Sequence, residues 1–368
     1  MDPIRATYRV SCNASEIEAR AEALAREQTT ELPRGAAPGK TEERVLGRVE
    51  TVEQIQERTF DVEILLPAAT QDGSAAQLLN VLFGNSSLQA DVVLADAQIP
   101  HWLVERFPGP RHGALGLRRV TGVPRRALTC TALKPQGLSP LELRALCETF
   151  ARAGIDVIKD DHGLADQETA RFEERVRACR DGLRAVWTET GHRAVYVPSL
   201  SGGPREVHRQ LDIAEAHGIL AVMLAPMLLG ASLFAEIAAT RPGLVLLAHP
   251  SFAGATRIEP ELLLGSLFRL FGADAVIFPH HGGRFGSFDA GRCRAIARRL
   301  ALQVPGLRAA MPVPAGGMDE RRAGEIVSFY GADAMLLVGG SLYIAGEELL
   351  TRARRFVKAV AVASEDVD

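Results

Sequence analysis

Residues 153–163 read Ala-Gly-Ile-Asp-Val-Ile-Lys-Asp-Asp-His-Gly. Gly154 stands where a glycine ends a helix, a short apolar run follows, and the run stops at Lys159, Asp160, Asp161 and His162. That puts one amine, two carboxylates and an imidazole at the end of a strand. Alternate strand side chains face the same side, so Lys159 and Asp161 project together, and His162 is free to turn inward as the strand ends.

The pattern repeats along the chain. From Arg126 onward, apolar runs alternate with Arg-, Glu- and Ala-rich amphipathic stretches: RALTCTALK (126–134), IDVIKDD (155–161), AVYVPSL (194–200), ILAVMLAP (219–226), LVLLAHP (244–250), AVIFPHH (275–281), RAAMPVPAG (308–316) and AMLLVGG (334–340). Continuous runs of this length suit strands buried on both faces, with crossover helices between them. Gly154, Gly218, Gly272 and Gly331 punctuate the helix ends. Eight β/α units in about 240 residues match a closed (β/α)8 TIM barrel, with an open doubly wound sheet as the alternative.

The first third reads differently. ATYRVSC (6–12), GRVETV (47–52) and FDVEILLP (60–67) read as strands, and Ala14–Glu27 as a helix. Glu31–Lys40, with two prolines and two glycines, reads as an exposed loop, and the Pro/Gly/Arg-rich stretch Phe107–Arg126 as a junction. The expected organisation is α/β: a smaller N-terminal α+β (ferredoxin-like) domain over residues 1–110 and a C-terminal (β/α)8 barrel over 111–368.

Composition excludes several classes. Across 368 residues, 42 Lys and Arg against 45 Asp and Glu leave a net charge of −3, and 47% hydrophobic with 24% charged residues fits an ordinary soluble chain. Neither a nucleic-acid polycation nor a disordered chain is indicated. The five cysteines, at 12, 130, 147, 179 and 293, form no CxxC pair and suit a reducing compartment. With no signal-like opening and no membrane-length apolar run, a cytoplasmic protein without membrane partners is expected.

In a barrel, active sites lie where the strands' C-terminal ends meet the following loops. Lys134 ends the first run, the Lys159–His162 cluster the second, His249 the fifth, and His280, His281 and Arg284 the sixth. The oxygen-rich cluster suits Mg2+, and its imidazole admits Mn2+ or Zn2+. A lysine paired with a carboxylate at a solvated loop is the plain alternative. Lys134 precedes a helix capped by Ser139 with Pro140 at its first position; in a desolvated pocket it could act as acid or base, otherwise as a turn lysine. Gly316-Gly317 and Gly339-Gly340 each lie between a strand and a helix and read as a phosphate cradle, or as tight turns. Gly283 and Arg284, in HHGGRFG, offer a second anion contact or a flexible basic loop, and His249 a substrate contact or proton relay. The remaining histidines (101, 112, 192, 208 and 217) read as surface or capping residues. No serine-hydrolase elbow, Walker loop or dinucleotide fingerprint is present.

Together these segments resemble the RuBisCO large-subunit superfamily over nearly the whole chain. LKPQGLSP (133–140) resembles its KPKxGL segment, AGIDVIKDDHG its GGxDFxKDDE segment, and AGGM (315–318) with VGGS (338–341) its phosphate loops. Glu27–Thr30 resembles the ESST-type segment, and FGNSS (83–87) with AQIP (97–100) the FGN and RIP stretch. The resemblance implies Lys134 as the acid/base lysine, a carbamate from CO2 on Lys159 ligating Mg2+ beside Asp161, and phosphate on Gly316, Gly317, Gly339 and Gly340. It implies an obligate homodimer in which N-terminal residues, Thr29 and Asn85 among them, complete the neighbouring subunit's site.

The departures are informative. His162 replaces the metal-binding glutamate, LLAHPSFAGA (246–255) lacks the HxHR segment, and FPHHGGRFG (278–286) lacks the CO2-reaching lysine loop. The chain thus resembles a form IV, non-carboxylating RuBisCO-like protein acting on a sugar monophosphate. The implied activity is isomerase or enolase chemistry on a methylthio-pentulose 1-phosphate of methionine salvage: 5-methylthioribulose 1-phosphate isomerase or diketo-methylthiopentyl 1-phosphate enolase. The rivals are a decarboxylase, transcarboxylase or hydrolase of a phosphorylated oxo-sugar acid, and a non-catalytic sugar-phosphate binder.

Overall fold

Near the N-terminus, strands β1 (Ile4–Ser11), β2 (Arg48–Gln56), β3 (Thr59–Leu66) and β4 (Val92–Gln98) pair antiparallel in the order β2-β3-β1-β4. In β1, Ile4, Ala6, Tyr8 and Val10 are buried while the residues between them are not, which is the two-residue period of a strand with one face on a core. Helices Ile17–Glu27 and Ala75–Phe83 supply Leu24 and Leu78 to that core. The succession strand, helix, two strands, helix, strand, with this strand order, is the ferredoxin-like arrangement. The computed structural model describes residues 1–33, 35–36, 38–318, 320–344 and 348–365.

The eight apolar runs are eight parallel strands: β5 (Leu128–Leu133), β6 (Val157–Asp160), β7 (Val195–Val197), β8 (Ala221–Leu224), β9 (Val245–Ala248), β10 (Ala275–Pro279), β11 (Met311–Ala315) and β12 (Met335–Leu337). They form two four-stranded sheets, β12-β5-β6-β7 and β11-β10-β9-β8. Backbone bonds from Leu200 N to Met223 O and from Met223 N to Pro198 O, both 2.9 Å, join β7 to β8. β11 and β12 lie side by side at the other seam. One buried cluster, including Cys130, Val157, Met223, Leu247, Ile277 and Val313, draws on all eight strands; the alternate residues join the second cluster, under the helices. Both faces of each strand are therefore apolar, which is why the runs are continuous.

Local expectations met a mixed outcome. Ser139 and Glu142 form a reciprocal capping box on the helix Pro140–Arg152, and Gly154, Gly218, Gly272 and Gly331 all have positive φ. The helix expected from Ala14 begins at Ile17, because Asn13 and Glu16 bond each other in a preceding turn. Strand β4 had no counterpart among the sequence expectations. The Phe107–Arg126 junction carries a helix, Gly113–Thr121, whose Leu117 joins the barrel-strand cluster. Within the Glu31–Lys40 loop, Arg34 and Ala37 lie outside the described residues, and a helix begins at Gly39. Among the described residues, no helix is long and apolar enough to cross a membrane.

Candidate active site

A cavity of about 990 Å³ opens where the strand ends meet their loops, and it brings together Lys134, Lys159, Asp161, His162 and His249. The pleat of β6 explains half of this. Lys159 and Asp161 face the cavity, whereas Asp160 points away and accepts bonds from Arg175 Nε (2.9 Å), Tyr196 Oη (2.7 Å) and Ser199 N (3.0 Å). Asp160 and Arg175 are both fully buried, and their pairing pins the strand end from outside.

Lys159 is 2% exposed and its Nζ donates to Asp160 O at 2.7 Å. Burial pushes its amine below the ordinary lysine range, since a desolvated ammonium is disfavoured. Lys134 arrives from the end of β5. Its backbone N–H donates to Tyr343 Oη at 3.2 Å, and that hydroxyl donates to Ala132 O at 2.8 Å. The Lys134 Nζ is bonded to Asp161 Oδ1, and His162 Nδ1 lies 3.5 Å from the same oxygen. Burial alone would raise the Asp161 carboxyl, but hydrogen bonds from His162 and Lys134 hold it well below the usual carboxylate range.

His249 stacks on His162 with ring centroids 4.8 Å apart and planes 11° from parallel. Burial, then the neighbouring Lys159 and His162, drives its basicity far down. Ser251 meets His249 Nδ1 with both its N–H (3.2 Å) and its hydroxyl (2.8 Å); with Nδ1 accepting from both, the proton of the neutral ring is on Nε2.

Gly316 and Gly317 hold φ of +89° and +95°. A Cβ on Gly316 would lie 2.9 Å from the Phe285 ring, and one on Gly317 2.9 Å from Arg284 N, so the sixth loop packs directly on the seventh. Arg284 N–H donates to Gly316 O at 2.9 Å, and its guanidinium lies 5.0 Å from the Phe285 ring centroid. Gly339 and Gly340 line the same cavity. A helix does follow each glycine pair, Ala323–Tyr330 and Leu349–Glu365, and a short 3-10 turn, Glu320–Arg322 and Gly340–Tyr343, precedes each.

Other residues singled out in the sequence are not brought in. Thr29 donates to Ala25 O (2.7 Å) and accepts from Gly47 N (3.0 Å) within the N-terminal unit, and Asn85 is exposed; neither lines this chain's cavity. Gly283 is a close-approach residue whose Cβ would meet Gly316 O at 2.3 Å. His280 is buried against Tyr330 behind the sixth loop, its basicity lowered to about 4 by burial. Sequence reasoning missed Ser251 and the apolar lining by Val93, Ile258 and Leu264. No motif marks the apolar three, which come from distant segments.

Among the described residues, no three His, Cys, Asp or Glu side chains converge as metal ligands. Asp161 and His162 supply two donors, and a carbamate on Lys159 would add oxygens beside Asp161. The residues fit a hard divalent cation when Lys159 carries CO2.

The profile of the ribulose bisphosphate carboxylase large chain, catalytic domain, matches residues 115–262. The chain is 48% identical over 356 residues, 96% of each sequence, to ribulose bisphosphate carboxylase-like protein 1 of Rhodopseudomonas palustris. It is 45% identical, over 99% of its length and 97% of the relative's, to a protein of Rhodospirillum rubrum named 5-methylthioribulose-1-phosphate isomerase. A Rubisco-like protein crystal structure from Rhodopseudomonas palustris superposes with a TM-score of 0.92 at 44% identity, covering 98% of both chains. With this fold, this strand-end chemistry and near-full-length relatives, the chain belongs to the RuBisCO-like proteins of the ribulose bisphosphate carboxylase large-chain family.

Proposed function

We propose that the protein isomerises 5-methylthioribulose 1-phosphate by enolisation, without fixing CO2. The observation that carries the reading is the pairing of Lys134 with Asp161 beside the buried amine of Lys159. It is supported by 45% identity, almost end to end, to a relative named for that isomerisation.

In the reaction, the C3–H bond breaks, an enediolate spans C2 and C3, and a proton is delivered to C2 while the C3 hydroxyl becomes the carbonyl. Atoms and electrons balance with no co-reactant. Lys134, partly exposed in the cavity, moves the proton. Its partner Asp161 fixes the amine's direction. His249, neutral and protonated on Nε2, serves as a hydrogen-bond donor to a substrate oxygen rather than as the base. Gly316, Gly317, Gly339 and Gly340 hold the phosphate, with Arg284 closing over it from the sixth loop. A lysine amine depressed by burial is in part the neutral form that adds CO2, so Lys159 is suited to carbamylation. Mg2+ or Mn2+ held by that carbamate, Asp161 and His162 would polarise the carbonyl and stabilise the enediolate. Thr29 and Asn85 act in the neighbouring subunit of a cytoplasmic homodimer.

The test is proton exchange. With Mg2+ and bicarbonate, 5-methylthioribulose 1-phosphate incubated in D2O should gain deuterium beside the carbonyl and yield an isomer of unchanged mass apart from the label. Exchange only with the diketo analogue moves the assignment to enolase. CO2 release from phosphorylated oxo-sugar acids moves it to decarboxylation, and phosphate binding with no exchange on any substrate leaves a binder.

A further inference from the structure

A second cavity, of about 380 Å³ and with a different lining, lies on the seam between the N-terminal sheet and the barrel. β4 supplies Asp96, Ala97 and Gln98 to it, and the turns after the helix Ala290–Ala301 supply Leu302, Val304 and Leu307. Small-molecule sites form preferentially on such seams, and the volume is within their usual range.

Two elements serve both cavities. β4 gives Val93 to the apolar wall of the first and Asp96 to the second. The π-helical turn Leu263–Leu267 gives Leu263 and Leu264 to the first, and Ser266 and Leu267 to the second. A π turn is rare and recurs at functional sites.

The second cavity carries one positive charge in excess. Arg299 and Asp96 cancel, since Nη1 and Nη2 donate to Oδ1 and Oδ2 at 2.7 and 2.8 Å. Arg269, 2% exposed, has no carboxylate partner among the described residues. It donates instead to the backbone oxygens of Arg308 (2.8 Å), Arg299 (2.7 Å), Leu302 (2.7 Å) and Leu307 (2.9 Å). Those bonds take four of its five N–H groups and hold the guanidinium in place, but carbonyl dipoles do not neutralise it. Burial lowers its basicity to about 10, the mark of a cation without a counter-charge. Much of the remaining lining is apolar, Ile99, Val104 and Leu270 among it, and Leu302 is 58% exposed at the opening.

We infer that this cavity is a second ligand site and that its occupant is a monocarboxylate with an aliphatic body. The carboxylate lies against Arg269, and the body runs along Ile99, Val104 and Leu270. A single negative charge balances the excess, whereas a phosphate monoester, at about −1.5 to −2 near neutral pH, would leave a desolvated surplus. The assignment is independent of the reaction performed at the strand ends.

The experiment is calorimetric titration of the full-length protein with butanoate, pentanoate, hexanoate and hexan-1-ol. Affinity should rise about fourfold per methylene along the acids. Hexan-1-ol should bind at least about tenfold more weakly than hexanoate, having lost the charge-assisted hydrogen bond. Gln98→Glu and Leu302→Glu, both at exposed positions, each add a negative charge to the lining. Each should weaken hexanoate about tenfold by like-charge repulsion while the urea midpoint moves little. Gly317→Ala, which alters the cavity at the strand ends, should leave hexanoate affinity unchanged. Four outcomes overturn the site: no saturable binding of hexanoate, an alcohol that binds as tightly as the acid, hexanoate affinity unchanged in both Glu variants, or its loss in Gly317→Ala, which would put the ligand at the strand ends.

Discussion

Lys134 and Asp161, from the ends of adjacent strands β5 and β6, share a hydrogen bond between Nζ and Oδ1 at the barrel mouth. Asp161 is thereby committed to two neighbours, since His162 approaches the same oxygen. The pair binds the acid/base candidate to the carboxylate beside it, so each constrains the other.

Replacing Lys134 with Met removes the proposed proton carrier and is expected to leave the fold intact. The side chain is 35% exposed and ends in the cavity, so thermal stability should change little. Deuterium exchange should fall by about 10²- to 10⁴-fold, the usual contribution of a positioned acid or base. An exchange rate within threefold of the parent excludes Lys134 from proton transfer.

Lys159 predicts a pH trend in stability. Its folded basicity is depressed by burial relative to an unfolded lysine near 10.5. Between the two values the unfolded chain holds the proton and the folded chain does not, so this site's contribution to stability rises with pH and levels off above the unfolded value. Urea denaturation in CO2-free buffer from pH 7 to 10 should show a smaller upward slope for Lys159→Met than for the parent. Equal slopes mean that the lysine keeps its ordinary basicity when buried.

The ring of His249 should stay neutral through the physiological range, because burial removes the water that would solvate its cation. Nitrogen NMR of labelled protein should report an unprotonated Nδ1 and a protonated Nε2 for this residue, unchanged from pH 5 to 8. A titrating His249, or the opposite tautomer, contradicts its role as a donor.

Gly317→Ala probes the proposed phosphate cradle. The added methyl would stand 2.9 Å from Arg284 N at a φ of +95°, so the backbone must shift. Inorganic phosphate should bind about tenfold more weakly, the loss of roughly one charge-assisted hydrogen bond, while the urea midpoint moves only slightly. Undiminished phosphate affinity would place the anion elsewhere.

The barrel was legible because its strands are buried on both faces, leaving eight uninterrupted apolar runs ended by glycine-marked helices. Lys159 and Asp161 were legible together because a strand's side-chain period is two. Strand β4 was not, since VVLADAQ carries Asp96, whose carboxylate is paired by Arg299 from far along the chain. The 3-10 turns after the glycine pairs were hidden because a sequence shows that a helix follows but not how soon it becomes regular. The apolar wall had no signature, since Val93 and Ile258 meet only through the bridge at Leu94.

Asp160 gives the Lys-Asp-Asp triplet a division of labour by parity. Its carboxylate, tied to Arg175 and Tyr196, serves the scaffold, while its two neighbours, Lys159 and Asp161, line the cavity. Two adjacent aspartates of the same charge are therefore under unrelated constraints. A lineage drifting toward a new reaction could exchange Asp161 or His162 while Asp160 stayed in place, and the segment would keep its shape after its original chemistry had gone.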